Sequence, residues 1–468
     1  TKLLFVTDQI FGNLDFEAMS TLEGCISFTD YSLLASRNEK LTFARENLNR
    51  LFGEKYPTNF RKQHINYHVD QPEELAIINY TSGTTSNSKG VMIPYRAIWS
   101  NLDFANTVLS SKLKIGDTIL SMLPMAHEYG LAFEFIYEFW FGVHIYFLTK
   151  MPSPVILLKA LADIKPAILI CVPLIIEKVY NASIVPTVKG SRVLSWMKEH
   201  TPRILYFLIG KMLYKTFGGR LKFFGIGGSK LDPVVEDFLK KAHFPYAIGY
   251  GLTETAPLIC NACVGKTAVG SIGVPAWKVQ VKLQNVNPET GEGEIVAKGD
   301  NVMLGYYKDP ERTREVLTDD GWFRTHDLAC KDDKGRYYIK GRLNNMILGP
   351  SGENIYPEEI EQVINHFGGV NESLVMERDG KLVALVKFDD NVLNWDQAYE
   401  DKFFENLQAH KKAVLDYVNK RVGKSSKVNA VEVVKDSFEK TATQKIRRFK
   451  YKDAHGDDVA VEEEKKKD

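Results

Sequence analysis

The chain is 468 residues long, 44% hydrophobic and 25% charged, the mix of an ordinary soluble globular protein with room for two or three domains. Sixty Lys and Arg against 59 Asp and Glu leave a formal net charge of +1, which argues against a nucleic-acid partner. Five cysteines (Cys25, Cys171, Cys260, Cys263 and Cys330) are an odd, scattered set that fits a reducing compartment, hence a cytoplasmic expectation, better than a disulfide framework.

In chain order, the opening "TKLLFVTDQ" carries neither a methionine nor a signal peptide, so the native chain is expected to begin earlier. Seven short runs, "KLLFVTD", "LAIINYTSG", "TILSMLP", "VHIYFL", "AILICVP", "LKFFGIGGS" and "YAIGYGLTE", read as strands ending in small residues before helices. That alternation predicts an α/β fold whose large N-terminal domain holds mostly parallel sheets, with ligands at the strands' carboxyl ends. Between the fifth and sixth runs lies residues 183–220, with Lys189, Arg192, Lys198, Arg203, Lys211, Lys215 and Arg220 against one acid, Glu199. Interleaved aromatics leave two readings: a helical insertion with a solvated basic face, or a peripheral docking surface for an anionic membrane, at the inner face. "CNAC" at 260–263 lacks a second Cys/His pair and reads as incidental thiols. From 279 to 341, turn signals such as "PETGEGE" and "DDKGR" predict a small antiparallel, barrel-like subdomain. Residues 343–468 then read as a small α+β domain with a charged tail, which leaves 1–342 as the N-terminal domain.

One stretch carries chemistry. "NYTSGTTSNSKGVMIP", residues 79–94, packs hydroxyls, glycines and a lysine between apolar flanks, which suits the holding of phosphate oxygens. It is not a P-loop, because Ser88 precedes Lys89 and Gly90 follows it. It resembles the phosphate loop of the adenylate-forming (AMP-binding) superfamily, matching at Tyr80, Thr81, Ser82, Gly83, Thr84, Thr85, Lys89 and Gly90 and departing at Ser86 and Ser88. "GYGLTET" (249–255), "GWFRTHDLA" (321–329), "KGRLNNMIL" (340–348), "GENIYPEEIE" (352–361) and "EKTATQKIRR" (439–448) continue the resemblance in the family's order. "LPMAHEYG" (123–130) and residues 291–313 look most like bacterial long-chain fatty acid–CoA ligases, relative to which about a hundred initial residues, one small domain, are missing.

The resemblance implies a two-step reaction of a fatty acid with ATP and then coenzyme A. Ser82, Thr84, Thr85 and Lys89, in the loop with Thr81 and Gly83, would cradle the β- and γ-phosphates. Thr253 would meet the α-phosphate, and Glu254 with Thr84 would hold Mg²⁺. Tyr250 would stack on adenine, with Gly249 and Gly251 allowing close approach, and Gly228 and Ser229 would border the nucleotide and acyl chain. Asp327 and Arg342 would bind ribose, and His127 would lie by the reacting carboxylate unless it is a core histidine. Lys445 would bridge carboxylate and α-phosphate in the transition state, and Asn344 would be the hinge of a mobile C-terminal domain. His326 stands where the family has glycine, either crowding the nucleotide or touching a phosphate. The alternatives are an acyl-AMP ligase serving a separate carrier protein, and a non-catalytic nucleotide- or acyl-binding relative.

Overall fold

The computed structural model describes residues 2–81, 88–150, 154–349, 353–393, 401–440 and 446–451. Two compact units divide the chain, Thr1–Asp70 and Gln71–Asp468. In the first, Leu3–Val6 runs parallel to Gly24–Ser27, which pairs antiparallel with Leu33–Ser36. The helix Glu39–Glu46 follows, its first turn capped by the side chain of Asn38.

The second unit is built on a seven-stranded sheet in the order Val274–Pro275, Leu258–Ala262, Tyr246–Gly251, Phe223–Ile226, Ile168–Cys171, Thr118–Ser121, His144–Phe147. The last five strands are mutually parallel, and Leu258–Ala262 reverses against Tyr246–Gly251. The strand Ile168–Cys171, inside the sheet, shows why the sequence runs apolar without interruption. Leu169 and Cys171 pack on one face against Leu205, Ile209 and Leu213, while Ile168 and Ile170 pack on the other against Ala105, Leu109 and Tyr137. "LAIINYT" does not join this sheet; Leu75–Thr81 pairs antiparallel with Lys89–Pro94, which in turn takes Gly305–Tyr306 as a third strand.

The 279–341 region forms four antiparallel strands in the order Gln280–Gln284, Gly293–Lys298, Phe323–Lys331, Tyr337–Arg342. Among the described residues this sheet is open, which corrects the barrel-like expectation. Its two edge strands do not pair with each other, and Tyr337 instead bridges to Gly273. Beyond it, Val370–Arg378 and Lys381–Phe388 form a hairpin through Asp379 and Gly380, both at positive φ as a two-residue turn requires. Ala430–Val433 adds parallel to it, and the helices Pro357–Asn365 and Asp401–Asn419 supply Ile360, Ile364, Leu407 and Val414 to a separate core.

Residues 183–220 are largely helical, as Arg192–His200 and Pro202–Thr216. Leu205, Ile209 and Leu213, spaced four apart, bury one side of the second helix. No helix among the described residues is long and apolar enough to cross a membrane. The five cysteines are free thiols, and Cys263 donates to Asn261 Oδ1 at 3.1 Å.

Candidate active site

The hairpin of Leu75–Thr81 and Lys89–Pro94 pairs Thr81 with Lys89 at its open end. Ser82, Gly83, Thr84 and Thr85 lie between them, outside the described residues. Lys89 Nζ sits 4.8 Å above the ring of Tyr306. Asn79 on the same hairpin donates from Nδ2 to Ala126 O and to Glu128 Oε1, both at 2.9 Å, and so ties the half-buried His127 and its loop to the base of the phosphate segment. Burial raises the Glu128 carboxyl above its ordinary range.

The 249–255 segment is the hub. Tyr246–Gly251 ends with a register break between Tyr250 and Gly251, and the chain turns through the short helix Thr253–Thr255 before reversing. Thr255 is fully buried and its hydroxyl bonds Leu252 O and Pro257 O at 3.0 and 2.8 Å, which locks the turn. Gly251 has no alternative there: a Cβ would fall 1.7 Å from Pro257 O. Gly228, at φ +90°, and the exposed Ser229 follow the neighbouring strand Phe223–Ile226, so both strands end on the same side.

Two polar clusters hang from this segment. Tyr250 donates from its hydroxyl to Asp327 Oδ2 at 2.7 Å, and Arg342 Nε meets Asp327 Oδ1 at 3.1 Å. Asp327 and Arg342 are direct partners across the antiparallel sheet, so their pairing follows from register. Burial, and then the charge of Asp327, hold the Tyr250 phenol well above its ordinary value, so it stays a donor. In the second cluster, Tyr306 donates to Glu254 Oε1 at 2.9 Å. The described residues contain no group of three or more His, Cys, Asp or Glu side chains able to hold a metal. A half-buried lone carboxylate, Glu254, fits Mg²⁺ well, because that ion is commonly held by one or two carboxylates plus nucleotide phosphates and water.

His326 lies beside Glu294. Its backbone is left-handed at φ +57°, which explains why glycine suits the position, and its Nδ1 lies 3.3 Å from the buried Glu294 Oε1. Asn344 is exposed in the turn after Arg342, and Lys445 lies outside the described residues.

Sequence reasoning missed Tyr306 and most walls of an apolar cavity of about 50 Å³, where Phe104, Tyr129, Phe133, Ile170 and Phe223 join the expected Gly249. The aromatic run "HEYGLAFEF" after His127 was the available signal. Tyr129 also explains small residues nearby: a Cβ on Gly225 or Gly227 would meet its ring or hydroxyl within 3.3 Å.

A family profile described as AMP-binding enzyme matches residues 29–307, more than half of the sequence. The chain belongs to the AMP-binding enzyme family. Among relatives of this AMP-binding chain, long chain acyl-CoA synthetase 7, peroxisomal, of Arabidopsis thaliana is 32% identical over 365 residues, 72% of this chain and 51% of the relative. Long-chain-fatty-acid–CoA ligase 4 of Saccharomyces cerevisiae is 32% identical over 323 residues, 64% of this chain and 46% of the relative. A long-chain-fatty-acid–[acyl-carrier-protein] ligase, AEE15 of Arabidopsis thaliana, is 28% identical over 460 residues, 84% of this chain and 62% of the relative. The chain spans about half the length of the first two of these curated relatives. The ATP-bound structure of MatB from Rhodopseudomonas palustris shares the fold with a TM-score of 0.70 and 23% identity, over 97% of this chain and 80% of that one.

Proposed function

We propose that this AMP-binding family member activates a long-chain fatty acid with ATP and passes the acyl group to coenzyme A. The observation that carries the reading is the pair of clusters on one turn, Tyr250–Asp327–Arg342 on one side and Glu254–Tyr306–Lys89 on the other. In the first step a carboxylate oxygen attacks the α-phosphorus and pyrophosphate leaves, so two anions must be brought together in line. Lys89 neutralises charge on the β- and γ-phosphates, which Ser82, Thr84 and Thr85 cradle with hydrogen bonds, and Thr253 bonds the α-phosphate. Glu254 and Thr84 would hold a magnesium ion, which when bound would draw charge from the phosphate oxygens. Asp327, oriented by Arg342 and Tyr250, accepts from the ribose hydroxyls, and Tyr250 lies under adenine. Lys445 spans the carboxylate and α-phosphate as charge builds, with His127 at the acid's side. In the second step the thiolate of coenzyme A attacks the acyl carbonyl and AMP leaves. The C-terminal domain, 343–468, turns about Asn344 between the steps. The cavity beside Tyr129 and Phe133 takes the start of the acyl chain.

The test is AMP release from ATP across short to long acids, with and without coenzyme A, with Lys445→Ala as control. AMP that accumulates with long acids only when coenzyme A is present, and is lost in K445A, supports the reading; ATP binding without turnover of any acid sinks it. The carrier-protein ligase among the relatives supports a second acceptor, and a carrier-bound thiol replacing coenzyme A in the same assay separates the two.

We also propose that residues 192–216 meet an anionic lipid surface. Val193, Trp196, Phe207 and Met212 are exposed among Arg192, Lys198, Arg203, Lys211 and Lys215, and Lys211 lies over the Phe207 ring at 4.5 Å. Vesicles rich in phosphatidylglycerol should carry the protein on flotation and a Phe207→Glu variant should stay behind. Equal flotation of both, or of neither, removes the idea.

A further inference from the structure

Tyr306 lies in the stretch 291–313, where the resemblance assigns it no role, yet it touches both halves of the metal and phosphate chemistry. It is 4% exposed, donates its hydroxyl to Glu254 Oε1 at 2.9 Å, and carries Lys89 Nζ 4.8 Å above its ring. The same short segment grips Glu254 a second time, since Met303 N donates to Glu254 O at 2.9 Å. The strand that brings it, Gly305–Tyr306, pairs with the strand that begins at Lys89, with Tyr306 opposite Val91. That strand is pinned from the other side. Tyr306 N donates to Thr313 Oγ1 at 2.9 Å, and Gly305, at φ +140°, leaves only enough room for Thr313, whose Cγ2 a Cβ would meet at 2.7 Å.

We propose that Tyr306 is a positioning residue that sets the Glu254 carboxylate and the Lys89 ammonium at a fixed spacing, so that a magnesium ion and the nucleotide phosphates would be received together. The inference rests on the function proposed above. Its two contacts are chemically separable. The hydroxyl takes one oxygen of Glu254 and orients the carboxylate toward a metal, and partners of that kind are worth roughly 10- to 100-fold in metal affinity. The ring face attracts Lys89 and holds its charge over the strand.

The experiment titrates ATP into the full chain by calorimetry at a series of MgCl₂ concentrations, and separately in EDTA, for wild type, Tyr306→Phe and Tyr306→Leu. Y306F keeps the ring and loses the hydroxyl. It should raise the MgCl₂ needed for half-maximal enhancement of ATP binding by about tenfold, with metal-free ATP affinity unchanged. Y306L should show the same metal defect and also weaken metal-free ATP binding by about threefold. A Y306F protein with the wild-type MgCl₂ requirement overturns the inference. So does one whose metal-free and metal-dependent binding fall together, since that is the mark of a general packing defect. If the wild type binds Mg·ATP but turns over no acid, the ligase reading alone fails, because the binding comparison is read without catalysis.

Discussion

Glu294 shows what a single buried charge does in this molecule. It is 2% exposed, accepts from Arg324 Nε and Nη2 at 3.1 and 2.8 Å, and receives the backbone N–H of His326. Burial pushes its carboxyl upward, but the bonds from His326 and Arg324 outweigh that and bring it down to about 2. Because the folded value is depressed, its stabilisation is complete above the ordinary carboxylate range and is lost as pH falls from there toward 2. Glu294→Gln should cost about 1–3 kcal/mol in urea denaturation at pH 7, and less at pH 3. An equal cost at both pH values would show that charge plays no part. The left-handed backbone of His326, which costs roughly 1–2 kcal/mol outside glycine, is offset by the same contact.

At the scale of elements, the 249–258 turn tolerates nothing larger than its glycine. Gly251→Ala drives a Cβ into Pro257 O, backbone against backbone, and should destabilise by about 3 kcal/mol or more, read as loss of Tm or of soluble protein. An unchanged Tm would show that the turn is softer than its hydrogen bonds suggest. The neighbouring helix carries a different liability. Glu134, in the π-helical turn Leu131–Ile136, accepts from Ser121 Oγ and from the N–H groups of Met122 and Leu123, while Glu138 is fully buried with both oxygens unpartnered among the described residues. Burial lifts Glu134 to about 7; burial, then the charges of Glu134 and Asp117, lift Glu138 to about 8. Both therefore hold protons in the fold that the unfolded chain has released, so stability should fall as pH rises from about 4.5 through 8. Glu138→Gln should be at least as stable as wild type at pH 9 and should flatten the fall in Tm between pH 6 and 9. A wild-type slope in the variant would assign the dependence elsewhere.

Across the whole second unit, the α+β region after residue 352 meets the rest through few polar contacts. Tyr356 donates to Glu292 Oε2 at 2.7 Å, and His366 pairs with Asp232, which also caps the helix Pro233–Lys241. The bond to Asp232 raises the His366 imidazole, and burial of Asp232 is outweighed by the same bond. The pair's contribution is thus present below the ordinary histidine pKa and is lost as pH rises through the raised one. Asp232→Asn keeps the helix cap and removes the charge. It should speed limited proteolysis around residues 343–349 several-fold at pH 6 and leave the rate at pH 9 unchanged; acceleration at both pH values would count against an ionic latch.

Much of this was legible without coordinates, because strand runs, turn glycines and helix periods are rules that act over a few neighbouring residues. All seven strands read in the first 251 residues are present. What the sequence could not settle is everything fixed by register between distant strands. Asp327 meets Tyr250 across 77 positions and Tyr306 meets Glu254 across 52, and neither separation is encoded in local propensity. Whether a sheet closes is likewise decided by pairing at its edges, which is why hairpin signals suggested a barrel and the strands form an open sheet. His326 is the same lesson at one residue: the sequence marked the departure from glycine, and only the approach of Glu294 from a neighbouring strand decided where the imidazole goes.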